Sequence, residues 1–334
     1  MPKTLTQAVN FLETQWSSIN DNKLKGILSE IRFKNYLREH NVHFVPGGWI
    51  ISPGKVHEDN IPTKEKLCIL PRQCALSWCN KNSPPHEGLT PAEVAAYNYF
   101  RQVGVKSYFA QPDIVNENEF VLPTPSSGKS PANYPLPYSY KFMEVSPVQG
   151  LTEVSISDMM KSFPARKKNA GLRCYQLGRI DTSSPEITAS ELISDLFWFE
   201  YSRYYLQKNY LLSNNDLDLF LIGTSGSCYP VELKSKVPAE DSTLGEWFGI
   251  DMGPFAKLAF FTANSMNTDA LYVVEEVDAQ RTHVQWLGIK FTELVKACSW
   301  VGQGGGTGMT GGRSATYKVP KAAFSPLNQL LKIL

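Results

Sequence analysis

Two acidic residues and one lysine lie on a short stretch of the chain that has the pattern of a β-hairpin. Asp218 opens an apolar run, a Gly/Ser-rich segment at residues 223–227 follows, and Glu232 and Lys234 stand on the next run. Gly and Ser in this position are typical of a hairpin loop. Two carboxylates and one ammonium group brought together can hold a hard divalent cation beside a phosphate. The segment therefore predicts metal-dependent phosphodiester hydrolysis.

Strand geometry predicts which of these side chains point the same way. Side chains alternate between the two faces of a strand, so Glu232 and Lys234 share a face, and Asp218 shares one with Phe220. Mg²⁺ usually takes one or two protein carboxylates together with waters and phosphate oxygens. Asp218 and Glu232 would be that pair. Lys234 would orient or deprotonate the attacking water and contact the scissile phosphate.

Two other interpretations of the hairpin stay open. Asp216 lies on the same face as Asp218 and competes with it as a ligand, although the apolar run begins directly after Asp218. Asp216 is expected instead to cap the strand in a turn over residues 213–216. A Glu-x-Lys triplet is common by chance, so an ordinary solvated edge hairpin is the alternative to a metal site.

The hairpin and its flanking elements resemble the PD-(D/E)xK nuclease superfamily, which includes most Type II restriction endonucleases. The resemblance rests on Asp218, on Glu232 and Lys234 after the turn, and on helices before and after the hairpin. It covers about residues 186–290, roughly a third of the chain. The chain departs from the pattern at Leu217, where the motif has a proline that is often missing in the family.

The resemblance assigns a role to each residue of the motif. It implies that Asp218 and Glu232 are metal ligands, that the backbone carbonyl of Leu233 is a third ligand, and that Lys234 is the catalytic lysine. It implies Mg²⁺ as the cofactor, with Mn²⁺ able to substitute. The fold that it implies is α/β, with a central mixed β-sheet flanked by helices in a restriction-endonuclease-like core, and with additional loop-rich elements.

The function implied is that of a sequence-specific endonuclease of restriction type. Its substrate would be double-stranded DNA, and hydrolysis would leave a 5′-phosphate and a 3′-hydroxyl. A palindromic target is best matched by a two-fold symmetric protein, so a homodimer is expected. Two alternatives remain: a repair or recombination nuclease of the same superfamily, and a non-catalytic DNA-binding protein.

The resemblance implies an accessory acid on a helix, and three glutamates compete for that role, with ordinary solvated helical acids as the alternative. Residues 186–209 have apolar positions at helical spacing and carry Glu191 and Glu200. Glu30 lies on an earlier predicted helix and is the third candidate. If Glu30 is the accessory acid, the nuclease core begins at the N-terminus and residues from about 52 to 185 are an insertion.

The pattern after the hairpin predicts alternating helices and strands. These elements are a helix at 255–264 opened by Gly253-Pro254, an apolar strand at 270–277, a strand at 284–289 and a helix at 292–298. A strand that is apolar on both faces, as at 270–277, is covered on both sides. The catalytic core is accordingly expected at residues 186–334.

Residues 1–185 are expected to hold an N-terminal helix and strand, followed by loop-rich DNA-recognition elements. The helix is predicted around 24–37, and a strand at 42–51 turns at Gly47-Gly48. Prolines then punctuate the chain, apart from a helix that begins after Thr90 as N-cap. Residues 161–173 form a basic segment that could contact phosphate or be an ordinary solvated charge run.

Composition restricts the class of protein. The chain has 334 residues, a net charge of +1 and a mean hydropathy of −0.25. No run approaches the roughly 20 apolar residues that span a bilayer, and the first residues lack the apolar core of a signal peptide. A cytoplasmic protein is expected. Five histidines without a nucleophile-elbow motif argue against a Ser/His/Asp hydrolase.

Two further segments are compositionally unusual. Cys68, Cys74 and Cys79, with His86 behind them, do not match the common zinc spacings, so reduced thiols are expected, with zinc as the alternative. The Gly-rich residues 302–312 lack the Lys-Ser/Thr ending of a P-loop and predict a flexible loop. Two basic residues beside that loop are expected to approach the DNA backbone: Arg313 and Lys318.

Overall fold

The computed structural model describes residues 21–53, 67–72, 88–114, 138–146, 150–163, 165, 206, 210, 212–266, 268–304 and 315–334. The chain divides into two compact units. The first unit comprises Met1–Arg32, Gly48–Thr90 and Lys106–Asp216, and the second comprises Phe33–Gly47, Pro91–Val105 and Leu217–Leu334. The boundary predicted between residues 185 and 186 lies outside the described residues. The second unit also takes in two segments that precede that boundary, because their side chains pack against its sheet.

The described elements are named here in chain order. The helices are α1 Asp21–Glu39, α2 Pro91–Gln102, α3 Ile156–Met159, α4 Met252–Asn264, α5 Phe291–Ala297 and α6 Leu327–Leu331. The strands are β1 His43–Pro46, β2 Trp49–Pro53, β3 Leu67–Pro71, β4 Lys106–Ile114, β5 Tyr138–Ser146, β6 Gly150–Val154, β7 Leu212–Asp216, β8 Leu219–Ile222, β9 Cys228–Lys236, β10 Ala239–Asp241, β11 Gly245–Asp251, β12 Leu271–Val277, β13 His283–Lys290, β14 Gln303–Gly304, β15 Ala315–Pro320 and β16 Ser325–Pro326.

The second unit contains two sheets. The larger has the order β1-β8-β9-β12-β13-β16, and only the β9–β12 pair in it is parallel. The smaller is antiparallel, with the order β10-β11-β15-β14. A parallel pair needs a long crossover connection, and α4 lies in the segment between β9 and β12. The mixed α/β class expected from the sequence is confirmed.

One face of the larger sheet buries leucine and valine side chains against α1 and α6. The residues of this cluster that lie on the sheet are Leu219, Leu221, Val231, Leu233, Leu271, Val273 and Trp286. Phe33 and Leu37 of α1, Leu327 and Leu330 of α6, and Leu334 complete it. Because side chains alternate along a strand, the residues between these positions must face the opposite side of the sheet.

The opposite face packs against α2 and α4 through aromatic rings. Phe100 of α2 lies 4.9 Å from Phe220 of β8 and 6.2 Å from Phe261 of α4, between ring centroids. Every residue of β12 is buried. The expectation that β12 is covered on both faces is therefore confirmed.

The first unit contains a six-stranded sheet with the order β6-β5-β4-β3-β2-β7. The β3–β4 pair is parallel and the other pairs are antiparallel. Much of this sheet comes from the proline-punctuated stretch that the sequence marked as irregular. That prediction is wrong for the described residues, since Pro71 and Pro112 lie within β3 and β4. A proline fits a strand wherever the ladder does not need its missing N–H.

The remaining element predictions differ little from the structure. The helices predicted at 24–37, 255–264 and 292–298 correspond to α1, α4 and α5, and the chain turns between β1 and β2 at Gly47-Gly48. The helix predicted at 186–209 lies outside the described residues, apart from residue 206, which is helical.

Candidate functional site

The predicted hairpin is present as the antiparallel pair β8–β9. Leu219 pairs with Val231 and Ile222 with Cys228, and the Gly223 N–H closes the turn by donating to the Ser227 carbonyl at 2.8 Å. Asp218 immediately precedes β8, and its N–H donates to the Val231 carbonyl at 3.2 Å. The carboxylate of Asp218 is therefore held at the open end of the hairpin.

Asp218, Glu232 and Lys234 lie on the same face of the larger sheet. Leu219 and Leu233 point into the cluster that packs on α1 and α6, so their neighbours along each strand point the other way. The two carboxylates are close enough for each to affect the ionisation of the other. The structure thus brings together the three side chains that the sequence singled out.

Asp218 is tied to the backbone of β9. Its Oδ2 accepts a hydrogen bond from the Leu233 N–H at 2.6 Å. Desolvation and repulsion from Glu232 raise the pKa of Asp218 to about 6, against the opposing effects of Lys234, the Leu233 N–H and Lys257. A cation that binds beside such a buried carboxylate stabilises its charged form more than it would stabilise that of a solvated carboxylate.

Glu232 is paired with two lysines. It is 2% exposed, and its Oε1 accepts from Lys234 Nζ at 2.6 Å while its Oε2 accepts from Lys257 Nζ at 2.9 Å. Burial by itself would raise the pKa of Glu232, but the two ammonium groups outweigh burial and lower it. Burial also disfavours the charge of Lys234, yet Glu232 and Asp218 raise its pKa above the ordinary value. Glu232 is therefore ionised and Lys234 is protonated.

Sequence reasoning missed Lys257. It lies on α4, and its side chain is 17% exposed. A signal was present, because Lys257 is the one charged residue in α4, and a lone charge on an apolar helix is costly to bury without a partner. The partner, Glu232, is 25 residues away along the chain and could not be identified from spacing.

Tyr272 and Gly47 support the site without carrying charge. Tyr272 lies opposite Glu232 in the parallel pair, and its hydroxyl donates to the Gly249 carbonyl of β11 at 2.7 Å. A Cβ on Gly47 would overlap the carbonyl oxygens of Leu217 and Asp218. The turn after β1 therefore lies directly against the backbone that positions Asp218.

The rival acids are placed differently. Asp216 is the last residue of β7 in the first unit and pairs with Trp49, so the turn predicted over 213–216 is wrong; that segment is a strand because it completes the edge of a sheet. Glu30 lies in the part of α1 that belongs to the first unit. Glu191 and Glu200 lie outside the described residues.

The other predicted sites are only partly within the described residues. Cys68 is buried in β3, while Cys74, Cys79 and His86 lie outside the described residues, as do Arg166–Arg173 and Arg313. Lys318 is on β15, where it is 9% exposed, pairs with Asp241 and lies 4.9 Å from the centre of the Trp247 ring. These partners hold the side chain of Lys318, and its contact with DNA stays a prediction.

Within the described residues there is no group of three or more His, Cys, Asp and Glu side chains that could hold a metal ion. The carboxylate pair with a backbone carbonyl is a smaller donor set, which is the kind that Mg²⁺ commonly uses. No helix in the described part of the chain is long and apolar enough to cross a membrane. Comparisons with protein-family models, curated proteins and solved structures gave no match.

Proposed function

We propose that this chain is a Mg²⁺-dependent, sequence-specific endonuclease of restriction type that acts on double-stranded DNA. The observation that carries the proposal is the convergence of Asp218, Glu232 and Lys234 on one sheet face at the open end of a hairpin. A solvated edge hairpin would leave such side chains exposed and spread apart. Here Glu232 is buried and raises the pKa of Asp218.

The donor set fits a hard divalent cation. Asp218 and Glu232 would hold Mg²⁺ together with the Leu233 carbonyl, and such a cation lowers the pKa of a bound water and offsets charge that develops on the phosphate. The N–H and C=O of a strand residue point to the same edge of the strand. Since the Leu233 N–H is bonded to Asp218, the Leu233 carbonyl faces the side on which that carboxylate lies.

Lys234 is the residue that acts on the reacting groups. Its ammonium is held 2.6 Å from Glu232 Oε1, beside the cation site, and its side chain is 30% exposed. A protonated lysine in that position contacts the scissile phosphate and orients the water that attacks phosphorus in line. The water oxygen bonds to phosphorus and the P–O3′ bond breaks, which leaves a 5′-phosphate and a 3′-hydroxyl.

Lys257 neutralises Glu232 until a cation binds. A buried carboxylate is strongly disfavoured without a positive partner, and two lysines satisfy that requirement in the metal-free protein. Binding of Mg²⁺ to Glu232 has to displace at least one of these ion pairs.

The fold supports the proposal as well. Along the chain, the antiparallel hairpin β8–β9 that carries the acids is followed by β10 and β11, then by α4, and then by β12, which pairs parallel with β9. That order agrees with the restriction-endonuclease-like core implied by the resemblance. A homodimer is the assembly that we expect, because a two-fold symmetric protein matches a palindromic duplex.

Incubation with supercoiled plasmid and Mg²⁺ tests the proposal. We expect the wild type to give discrete fragments, and Asp218→Ala and Glu232→Ala to lose cleavage while keeping their fold by circular dichroism. Glu293→Ala is the matched control, since Glu293 is an exposed acid on α5 whose side chain is 58% exposed. Cleavage retained by either site variant would overturn the site. Smears or structure-dependent cuts would indicate a repair nuclease, and a mobility shift without cutting would indicate a DNA-binding protein.

A further inference from the structure

The face that carries Glu232 and Lys234 continues to Lys236. The three residues alternate along β9, and the rise between Lys234 and Lys236 is about 6.7 Å for two strand residues. Lys236 lies beyond Lys234, at the end of β9, and its side chain is partly buried. It is the next cation along the surface that leads away from the proposed metal site.

Neither hydrogen bonds nor ion pairs hold the ammonium of Lys236 within the described part of the chain. Its cross-strand neighbour on β12 is Glu276, but both oxygens of Glu276 are taken. Oε1 accepts from Lys321 Nζ at 2.7 Å and Oε2 accepts from Gln285 Nε2 at 2.8 Å. Asp251, the other nearby acid, accepts from the Thr316 hydroxyl at 2.7 Å. Lys236 is therefore a partly buried cation without a hydrogen bond or ion pair to an acid among the described residues, although the charge of Asp251 attracts it.

Arg281 places a second cation at the same end of the sheet. It lies in the turn that joins β12 to β13, just past the residue that neighbours Lys236. The turn holds Arg281 at φ 67°, a backbone conformation that glycine adopts more easily, and its N–H donates to the Asp278 carbonyl at 3.0 Å. Like Lys236, Arg281 makes no side-chain hydrogen bond or ion pair with any described residue.

Lys236 and Arg281 lie close enough for their charges to act on each other, although Asp251 also acts on Lys236. Burial lowers the pKa of Lys236, and the charges of Lys234 and Arg281 lower it further against the attraction of Asp251. Holding like charges close together is unfavourable, and an anion between them would relieve the repulsion. Lysine and arginine without partners on one surface are typical of contacts with phosphate groups.

We propose that Lys236 and Arg281 bind a backbone phosphate of the DNA strand next to the scissile phosphate. This inference rests on the proposed function, since Glu232 and Lys234 define where the scissile phosphate lies. The Lys236–Arg281 contact positions the strand and reads no base, so it contributes to all DNA sequences alike. It also needs no metal, because ammonium and guanidinium groups bind phosphate directly.

Binding of a short fluorescent DNA duplex, measured by anisotropy in chelator over a salt series, tests the inference. The variants are Lys236→Met, which replaces the ammonium by an apolar group of similar length, and Arg281→Gly, which removes the cation and suits the backbone at φ 67°. Lys332→Met is the control, because Lys332 is an exposed lysine at the end of α6, on the opposite side of the sheet. Lys236→Arg and Arg281→Lys retain the charge.

We expect each charge-removing variant to weaken binding about tenfold at low salt and to reduce the slope of log K against log salt by about 0.9, the value for one lost phosphate contact. The control and the charge-retaining variants should bind like the wild type. Unchanged affinity and slope in both Lys236→Met and Arg281→Gly would overturn the inference, whether or not the wild type cleaves DNA. If the slopes change as expected but the wild type never cleaves with Mg²⁺, the phosphate contact stands and the proposed function fails.

Discussion

Replacing Asp218 by Asn should stabilise the metal-free protein, but only above the pH at which Asp218 ionises. The pKa of Asp218 is raised from its ordinary 3.8 to about 6 in the folded protein. A shift of one pKa unit corresponds to about 1.4 kcal/mol, so ionisation of Asp218 disfavours the folded state by about 3 kcal/mol. The stability that protonated Asp218 confers is complete below pH 3.8 and is lost as the pH rises through about 6.

Asn at this position removes the titration while keeping an oxygen that can accept from the Leu233 N–H. Near pH 4 Asp218→Asn should therefore be less stable than the wild type by only about 1 kcal/mol, the cost of the partly buried amide group. Near pH 8 the variant gains up to about 3 kcal/mol because it does not ionise, and it loses about 1 kcal/mol for the partly buried amide group. Its free energy of unfolding should therefore exceed that of the wild type by about 2 kcal/mol.

Glu232→Gln is the control, and its expected change in folding stability has the opposite sign. The pKa of Glu232 is lowered, so its stabilising effect is present above its ordinary value of 4.5 and is lost only as the pH falls through the lower folded value. Removing one member of a buried ion pair costs about 3–5 kcal/mol, and the lower end applies because Lys234 and Lys257 are partly exposed. Glu232→Gln should therefore be destabilised by about 3 kcal/mol both near pH 5 and near pH 8.

Urea-dependent hydrogen exchange of the peptides that cover β8 and β9 measures these differences in the second unit alone. The experiment is done in chelator, so that no metal binds to either carboxylate. A stability difference for Asp218→Asn that is the same near pH 4 and near pH 8 would refute the reasoning. So would a variant that is less stable than the wild type near pH 8, since Asp218 would then be favourably placed as a carboxylate.

Three other changes have distinct expected outcomes. Lys257→Met should bind Mn²⁺ at least tenfold more tightly, as measured by calorimetry, because the ammonium that competes with the metal ion for the carboxylate pair is gone. Unchanged or weaker binding would contradict this competition between Lys257 and the metal ion. Gly47→Ala should lower the unfolding free energy by about 2 kcal/mol and reduce cleavage, because the added Cβ overlaps two backbone carbonyl oxygens. Gly253→Ala is the control and should change neither, because a Cβ on Gly253 has no atom within 4 Å. Tyr272→Phe should lower the free energy of unfolding in urea by about 1–3 kcal/mol, because the Gly249 carbonyl loses its buried hydrogen-bond donor. A decrease below about 0.5 kcal/mol would mean that water replaces the hydroxyl.

The arrangement on β8 and β9 could be predicted because it depends on local rules. Alternation of side chains places Glu232 and Lys234 on one face, and the Gly/Ser-rich turn sets the register that brings Asp218 to the same end. Both rules act within 17 residues, so no knowledge of the rest of the fold was needed. The buried strand β12 was predictable for a similar reason, since a run of apolar residues on both faces needs cover on both faces.

The contacts that complete the site are decided by packing between distant segments. Lys257 reaches Glu232 because α4 lies against the larger sheet in one particular rotation, and that rotation depends on rings such as Phe261 and Phe100 from another part of the chain. The close approach of Gly47 to Asp218 depends on β1 joining the sheet beside β8. The sequence by itself determines the chemical groups and their periodicity. Only the tertiary structure decides which charges meet, because ion pairs and close backbone contacts form between residues whose separation along the chain carries no information about their distance in space.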